Sequence, residues 1–360
     1  MTKSNPDAPD RAWLDVDLGA IVRNARRFQK LIGAPLLPMV KADGYGLGAV
    51  PVALALEAVE PWGFGVATHD EGARLRSAGI IRPLLVFTPL GTDQVEQFHA
   101  DQLRPVIGDL PALDAWLGAG AGPFHIEIDT GMSRAGFRWH DEPVITALAE
   151  RLRGAAGWEG LFTHFHSADT DENATREQME RFEQVISALD SRPPLVHVAS
   201  SAAAQHGEEF GADLARPGIY LYGARAGSLV PEPVAQLCAR VVALRRLRPG
   251  DTVSYGADAE VEADTTIATI GIGYGDGVPR SLGGRGFVEI NGVIVPIVGR
   301  VTMDMVMVDV EDTPVDIGDT AVLFGGLVAL DDQAGLAGTI SYELLTMLTP
   351  RVTRRYRNDS

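Results

Sequence analysis

At 360 residues the chain is too long for one ordinary hydrophobic core, so two domains are expected. A content of 46% hydrophobic and 22% charged residues describes a folded chain rather than a disordered or fibrous one. With 31 Lys and Arg against 48 Asp and Glu, the formal net charge is −17, which argues against nucleic acid or an anionic membrane as partner but leaves room for a small anionic ligand held by a few local cations.

The first residues, MTKSNPDAPDRAW, are polar, carry Pro6 and Pro9 and lack the apolar core of a signal peptide. Residues 13–16 read as a strand and Asp17 as a helix cap, after which Ile21, Val22, Ala25, Phe28 and Ile32 recur at helical spacing until Gly33. Strand-like runs follow at 36–40, 63–67, 84–87, 104–107, 124–128, 161–165, 195–199 and 218–222. Between most of them lie stretches with helical spacing, such as 52–58, 70–78, 143–152 and 174–189. Eight such units predict an α/β fold, a (β/α)8 TIM-type barrel. An open doubly wound sheet is the alternative, although no GxGxxG opens the first helix.

From Val241 onward the texture changes to short runs rich in Val, Ile and Thr, separated by turn signals such as Pro249-Gly250-Asp251. Asn291-Gly292 between two apolar runs is a two-residue hairpin signal, and 342–348 reads as a closing helix. The expected organisation is a leader and first strand over 1–16, the strand packing on the C-terminal domain, then the barrel over 17–230 and a mostly β domain over 231–360. The lone cysteine, Cys238, sits in an apolar run, allows no internal disulfide and points to a reducing compartment. No uncharged run reaches the ~18 residues that a bilayer span requires, so a cytoplasmic protein is expected.

The stretch PMVKADGYGLG organises the chemistry, because apolar residues deliver Lys41 to a glycine-rich bend at Gly44, Gly46 and Gly48. An amine at a buried strand end can lose solvation and become a base or a nucleophile, although a lone lysine there equally caps an ordinary strand-to-turn junction. Barrel active sites draw on the carboxyl ends of the strands, and several polar residues share that address. Arg134 lies in the loop after strand five, His164 and His166 at the end of strand six, Ser200 and Ser201 after strand seven, and Arg216, Gly218 and Ile219 at strand eight. Alternation in HIEIDTG turns His125, Glu127 and Asp129 inward, with Arg134 as the counterion that Glu127 orients. In the second domain, Tyr255 in VSYGA, Tyr274 in GIGYGDG and the run GRVTMD stand beside glycines that allow close backbone approach.

VKADGYG, DTGMSRAG, THFHSAD, SSAAA, RPGIYLYG, VSYGA, GIGYGDG and GRVTMD together resemble the alanine racemase family, in that family's order and over nearly the whole chain. The resemblance implies a pyridoxal 5'-phosphate enzyme that interconverts L-alanine and D-alanine, supplies D-alanine for peptidoglycan and acts as a head-to-tail homodimer with shared active sites. It assigns the covalent cofactor link and one catalytic base to Lys41, and the opposite base to Tyr255 of the partner subunit. Tyr45, Ser201, Gly218 and Ile219 would hold the phosphate, Arg134 the ring's phenolic oxygen and Arg216 the pyridine nitrogen. Arg134 and Met303 of the partner subunit would serve the substrate, with Glu127, Tyr274 and Asp304 in support and no metal. His164 would touch the cofactor site by bridging Arg216 and Tyr255 of the partner subunit.

Departures from the pattern also carry expectations. Glu127 stands where many relatives have a lysine, often carbamylated, so a native carboxylate replaces the carbamate and activity should not depend on added bicarbonate. Pro350 replaces a tyrosine and Ser200 an asparagine, which bears on the preference for alanine over serine or larger residues. Two other readings remain: a barrel-type amino-acid decarboxylase, disfavoured by Arg216 opposite the ring nitrogen, and a non-catalytic cofactor-binding protein, disfavoured by the retained Tyr255 and Asp304.

Overall fold

Six parallel strands form the frame of the larger unit in this computed structural model, which describes residues 10–120, 122–207, 210–311 and 313–358. The leader expected at the N-terminus lies, over residues 1–9, outside the described residues. The chain divides into two compact units, one made of Ile21–Gly44 and Gly48–Glu232, the other of the described residues of Met1–Ala20, Tyr45–Leu47 and Pro233–Ser360.

In the larger unit Phe64–Val66, Leu84–Pro89, Arg104–Ile107, Phe124–Asp129, Trp158–Phe162 and Leu195–His197 are parallel neighbours in that order. Single bridges, Leu36 to Ala215, Met39 to Gly65 and Ser200 to Arg216, close the ring to eight. The Leu37 N–H donates to Ala215 O at 2.7 Å, and Val40 N–H to Gly65 O at 2.8 Å. Pro35, Pro38 and Pro217 fall in these closing segments and have no N–H to give, which is why bridges replace a full ladder.

The eighth position is held by residues 215–217, not 218–222 as residue type suggests. Ile219–Tyr222 is instead a 3-10 turn, because Ser201 Oγ accepts the N–H of Gly218 at 2.8 Å and of Tyr220 at 3.4 Å and curls the chain there. Strand six likewise begins earlier than expected, at Trp158–Phe162. Leu37, Leu85, Val106, Phe162 and Leu214 form a buried cluster inside the ring, flanked by Trp62, Phe87 and Leu195. Leu85→Ala empties part of that cluster and should cost about 2–5 kcal/mol, read as a lower urea midpoint with an unchanged m-value.

Around the ring the helices start where the side chains cap them. Thr68 and Glu71 form a capping box on His69–Ser77, while Asp109, Asp141 and Asp171 cap the helices that follow strands four, five and six. Asp17 Oδ1 accepts the Ala20 N–H at 2.9 Å at the head of Leu18–Ile32.

The smaller unit is built on the long strand Ala235–Leu247, which pairs antiparallel with Ala12–Asp17, Thr265–Ile270 and Thr320–Phe324. Asn291 (φ 51°) and Gly292 (φ 78°) both take left-handed backbone in the hairpin joining Phe287–Ile290 to Val293–Pro296, as a two-residue primed turn requires. The closing helix is Ser341–Thr346, and a last strand, Thr353–Arg357, runs parallel to Ala12–Asp17. Its sequence TRRYR carries no apolar alternation. The strand forms because Arg355 covers the Trp13 ring at 4.3 Å and its Nη2 pairs with Asp10 at 2.7 Å. Among the described residues no helix is long and apolar enough to cross a membrane, and no cluster of acidic, His or Cys side chains has the makings of a metal site.

Candidate active site

Lys41 leaves the first barrel segment into a turn of unusual backbone, with Ala42, Asp43, Gly44 and Tyr45 all at φ between 52° and 64°. Left-handed backbone costs about 1–2 kcal/mol for each non-glycine residue, so the surroundings must hold it. They do so through Glu71 Oε1, which accepts the Ala42 N–H at 2.7 Å, and through Asp43, whose backbone oxygen accepts from Gly48 at 2.7 Å and whose carboxylate accepts from Ala49 at 3.1 Å. The Lys41 amine has no hydrogen bond or ion pair among the described residues. Burial lowers its pKa, and the charges of Arg134 and Arg216 lower it further against the opposing pull of Glu71.

Arg216 is buried, with its guanidinium over the Phe162 ring at 5.0 Å. Its Nη1 donates to His197 Nδ1 at 2.7 Å and to His197 O at 2.6 Å, and its Nη2 to Thr163 O at 2.8 Å and Val198 O at 3.2 Å. A guanidinium has five N–H groups, so Nε–H alone is left without an acceptor among the described residues. Burial pushes its pKa down to about 9, which still leaves it charged at pH 7.

The bridge expected of His164, from Arg216 to Tyr255 of the partner subunit, is not formed within the chain. Both terminal nitrogens of Arg216 are taken by His197 and by backbone carbonyls, and no hydrogen bond joins Arg216 to the His164 ring. His164 stays close enough for burial, then Arg216, Arg134 and Lys41, to push its pKa down to about 3, so the ring is neutral.

Glu127 is buried on the inward face of its strand, and burial raises its pKa against the lowering effect of Arg134 and Arg216. Its Oε1 lies 3.9 Å from Arg134 Nη2, an ion-pair contact too long for a hydrogen bond. The Arg134 loop is shaped by Asp129, whose Oδ1 accepts the N–H groups of Gly131 at 3.0 Å and Ser133 at 2.9 Å. Ser201, Gly218 and Ile219 come together at the 3-10 turn already described.

Within the smaller unit, Tyr45 is buried with its ring 6.0 Å from that of Tyr342, and burial raises its pKa. Gly46 follows because a Cβ there would meet Leu345 O at 2.3 Å, and its carbonyl accepts from Arg354 Nε at 3.0 Å. Tyr274 and the Met303–Asp304 loop form one piece: the Tyr274 N–H donates to Thr302 O at 2.9 Å and Gly275 N–H to Met303 O at 2.8 Å. Asp276, fully buried, accepts from Arg11 at 2.6 Å and from Arg351 at 3.0 Å, and Arg351 reaches on to Asp304 at 2.5 Å. Tyr255 stands on a short turn entered through Ser254 at φ 71° and is 68% exposed, its hydroxyl without a partner among the described residues.

Sequence reading passed over His197, Glu159 and the pairing of His125, all of which the barrel interior brings beneath Arg216. Strand alternation did place His125 inward, but its partners lie on other strands and no local spacing reveals them.

The donor set suits pyridoxal phosphate. A desolvated amine is present for a carbonyl carbon, a serine hydroxyl at the head of a turn for a phosphate, and one free guanidinium N–H for a ring nitrogen. Barrel and β unit with such a lysine define a class of two-domain α/β-barrel enzymes. The family profile described as alanine racemase, N-terminal domain, matches residues 16–226, and that described as alanine racemase, C-terminal domain, matches residues 234–356. The chain belongs to the alanine racemase family, a family of isomerases.

The chain is 36% identical to the alanine racemase of Desulfovibrio desulfuricans, over 96% of this chain and 97% of that one. It is also 36% identical to alanine racemase 2 of Bacillus subtilis, over 96% and 95% of the two chains. Among solved structures, the alanine racemase from D-cycloserine-producing Streptomyces lavendulae superposes with a TM-score of 0.91 at 29% identity, over 98% of this chain and 99% of that one. The Bartonella henselae alanine racemase with covalently bound pyridoxal phosphate gives 0.91 at 28% identity, over 97% and 100%.

One consequence of the buried neutral histidines concerns stability. Burial above all holds His164, His125 and His197 below the ordinary 6.5, with nearby positive charge adding to it. Between the folded values and 6.5 the unfolded chain therefore binds more protons, so this stability is complete above pH 6.5 and is lost as the pH falls through that window. The urea midpoint should fall on going from pH 7 towards pH 4, and His164→Gln should flatten the slope.

Proposed function

We propose that the protein interconverts L-alanine and D-alanine by a two-base mechanism on pyridoxal 5'-phosphate held on Lys41. The observation that carries this is the arrangement of Lys41, the Ser201 turn and a charged Arg216 with one unsatisfied N–H at the carboxyl ends of one barrel. Pyridoxal phosphate, when bound, supplies the electron sink that makes the substrate's α-hydrogen acidic.

The residues of the chain do the rest. Lys41, its pKa lowered by burial, would offer its Nζ to the cofactor's carbonyl carbon and would act as a base at the substrate's α-carbon. Ser201, with Gly218, Ile219 and Tyr45, binds the phosphate, and Arg134, oriented by Glu127, binds the phenolic oxygen and the substrate. Because Glu127 already supplies the carboxylate, activity is independent of bicarbonate. Arg216 keeps its own proton at pH 7, so it donates a hydrogen bond to the ring nitrogen without protonating it. Held in this way, Arg216 would leave the ring nitrogen unprotonated and so would restrain side reactions at the α-carbon.

Racemisation needs a second base on the opposite face, and we assign it to Tyr255 of the partner subunit in a homodimer. The exposure of Tyr255 and of Met303, at 68% and 51%, supports a role outside their own chain. In the same reading Met303 of the partner subunit meets the substrate carboxylate, Tyr274 and Asp304 hold that loop, and neutral His164 lies beside the cofactor. The product D-alanine would feed peptidoglycan in the cytoplasm. Ser200 and Pro350 bear on how strictly alanine is preferred over serine or larger residues.

A panel of single-enantiomer amino acids tests the reading directly. L-alanine should lose optical rotation fastest, with serine next. Binding of pyridoxal phosphate with no racemisation of any member would leave a cofactor-binding protein, and release of carbon dioxide from a basic amino acid would make it a decarboxylase.

A further inference from the structure

Beneath Arg216 a file of polar side chains crosses the barrel interior. After the contact from Arg216 Nη1 to His197 Nδ1 at 2.7 Å, His197 Nε2 lies 2.8 Å from His125 Nδ1, and His125 Nε2 lies 3.3 Å from Glu159 Oε2. Arg104 closes the far end, its Nε donating to the same Glu159 oxygen at 2.6 Å. Both histidines are fully buried.

One proton arrangement satisfies every link. A guanidinium cannot accept, so His197 Nδ1 is bare and its hydrogen is on Nε2. That hydrogen points at His125 Nδ1, which must also be bare, so the second hydrogen is on His125 Nε2 and is donated to the Glu159 carboxylate. Charging either ring would set N–H against N–H or add a cation beside Arg216. Burial and Arg216 hold His197 well below its ordinary range, and burial likewise lowers His125. Burial opposes ionisation of Glu159, but the hydrogen bonds from His125 and Arg104 outweigh it and hold that carboxyl below the usual value.

The packing is built around this file. A Cβ on Gly160 would lie 2.1 Å from His125 Nδ1, so only glycine leaves room for the ring. Phe162 stacks on His197 with centroids 4.8 Å apart, and Trp62 covers His125 at 5.6 Å. Both imidazole dipoles point the same way, with their electron-rich Nδ1 ends towards Arg216. The guanidinium is thereby stabilised and oriented although no carboxylate hydrogen-bonds to it among the described residues.

We propose that His197, His125 and Glu159 are positioning residues, a relay that aims Arg216 and keeps it charged, and so sets how strongly its Nε–H donates to the pyridine nitrogen of bound pyridoxal phosphate. The target of the relay rests on the function proposed above; its proton arrangement does not.

The arrangement is read first on cofactor-free protein by nitrogen-edited NMR of labelled histidine at pH 7. His125 and His197 should both be neutral and protonated on Nε2; a charged ring or an Nδ1–H at either would overturn the relay. Pyridoxal phosphate titrations then read its effect. Loss of one charge-assisted hydrogen bond in His197→Phe should weaken binding about tenfold and displace the visible band of the bound cofactor. Glu159→Gln, which keeps the shape and removes the charge, should shift the band the same way with a smaller loss of affinity, and it carries the comparison if His197→Phe does not fold. Wild-type affinity and an unmoved band in folded variants would overturn the proposal. If the wild type itself fails to bind pyridoxal phosphate, the proposed function and the relay's target fall together, while the NMR result still decides the proton arrangement.

Discussion

Lys41→Ala is expected to lower racemisation of alanine by about 10⁴-fold or more, because it removes a covalent attachment point and a base at once. The loss should come with loss of irreversible labelling: borohydride reduction of the wild type in pyridoxal phosphate should fix the cofactor's mass on the peptide holding Lys41, and the variant should stay unlabelled. Stability should hardly change, since the amine has no hydrogen bond or ion pair among the described residues to lose. The neighbouring turn is different. Glu71 accepts the Ala42 N–H that keeps residues 42–45 in left-handed backbone, so Glu71→Ala should impair labelling of Lys41 while leaving the amine itself in place. Residual racemisation by Lys41→Ala near the wild-type rate would remove the lysine from the chemistry altogether.

Tyr255→Phe is expected to slow racemisation by about 10²–10⁴-fold, the usual worth of a positioned acid or base. Its signature is asymmetric. With one base gone and the other intact, one enantiomer of alanine should go on exchanging its α-hydrogen with deuterated water while the other stops. Subunit mixing adds a second arm. Lys41→Ala and Tyr255→Phe copies are each inactive alone, but a mixed dimer with sites shared between subunits contains one site with both bases. Refolding an equal mixture should therefore recover about a quarter of the wild-type activity, half of the dimers having one of two sites intact. No recovery from a mixture shown to contain mixed dimers would put both bases in one chain or dismiss Tyr255. Equal loss of exchange from both enantiomers would make the phenol structural.

Much of the barrel could be read along the chain because its signal is local. Buried parallel strands show as short apolar runs, and the amphipathic helices between them as recurring apolar positions, so six strands and their helices fall close to where pattern places them. The misplacement of the eighth strand has a nonlocal cause: IYLY has the residue types of a strand, but a hydroxyl seventeen residues upstream, on Ser201, takes two of the backbone donors in that segment. Thr353–Arg357 was invisible for a similar reason, since a strand of arginines is stable only against the Trp13 ring and the Asp10 carboxylate.

The individual groups of the site were legible as residue types at strand ends, and their hydrogen-bond partners were not. Arg216 could be placed at the barrel mouth from its sequence position, yet its nearest ring neighbour, His197, had no motif of its own, and His164, which did, makes no bond to it.

From the order of its residues alone, this protein's family, its alternation of strands and helices, and the lysine at the first strand end were already determined, because each rests on spacing within a few turns or on motifs in a fixed order. Folding in three dimensions decided which strands Ala12–Asp17 joins, which nitrogens of Arg216 are occupied and which one is left over, and which proton sits on which imidazole. Those depend on donors and acceptors from distant segments meeting inside a medium without water, where every polar atom has to be matched and the match selects the geometry.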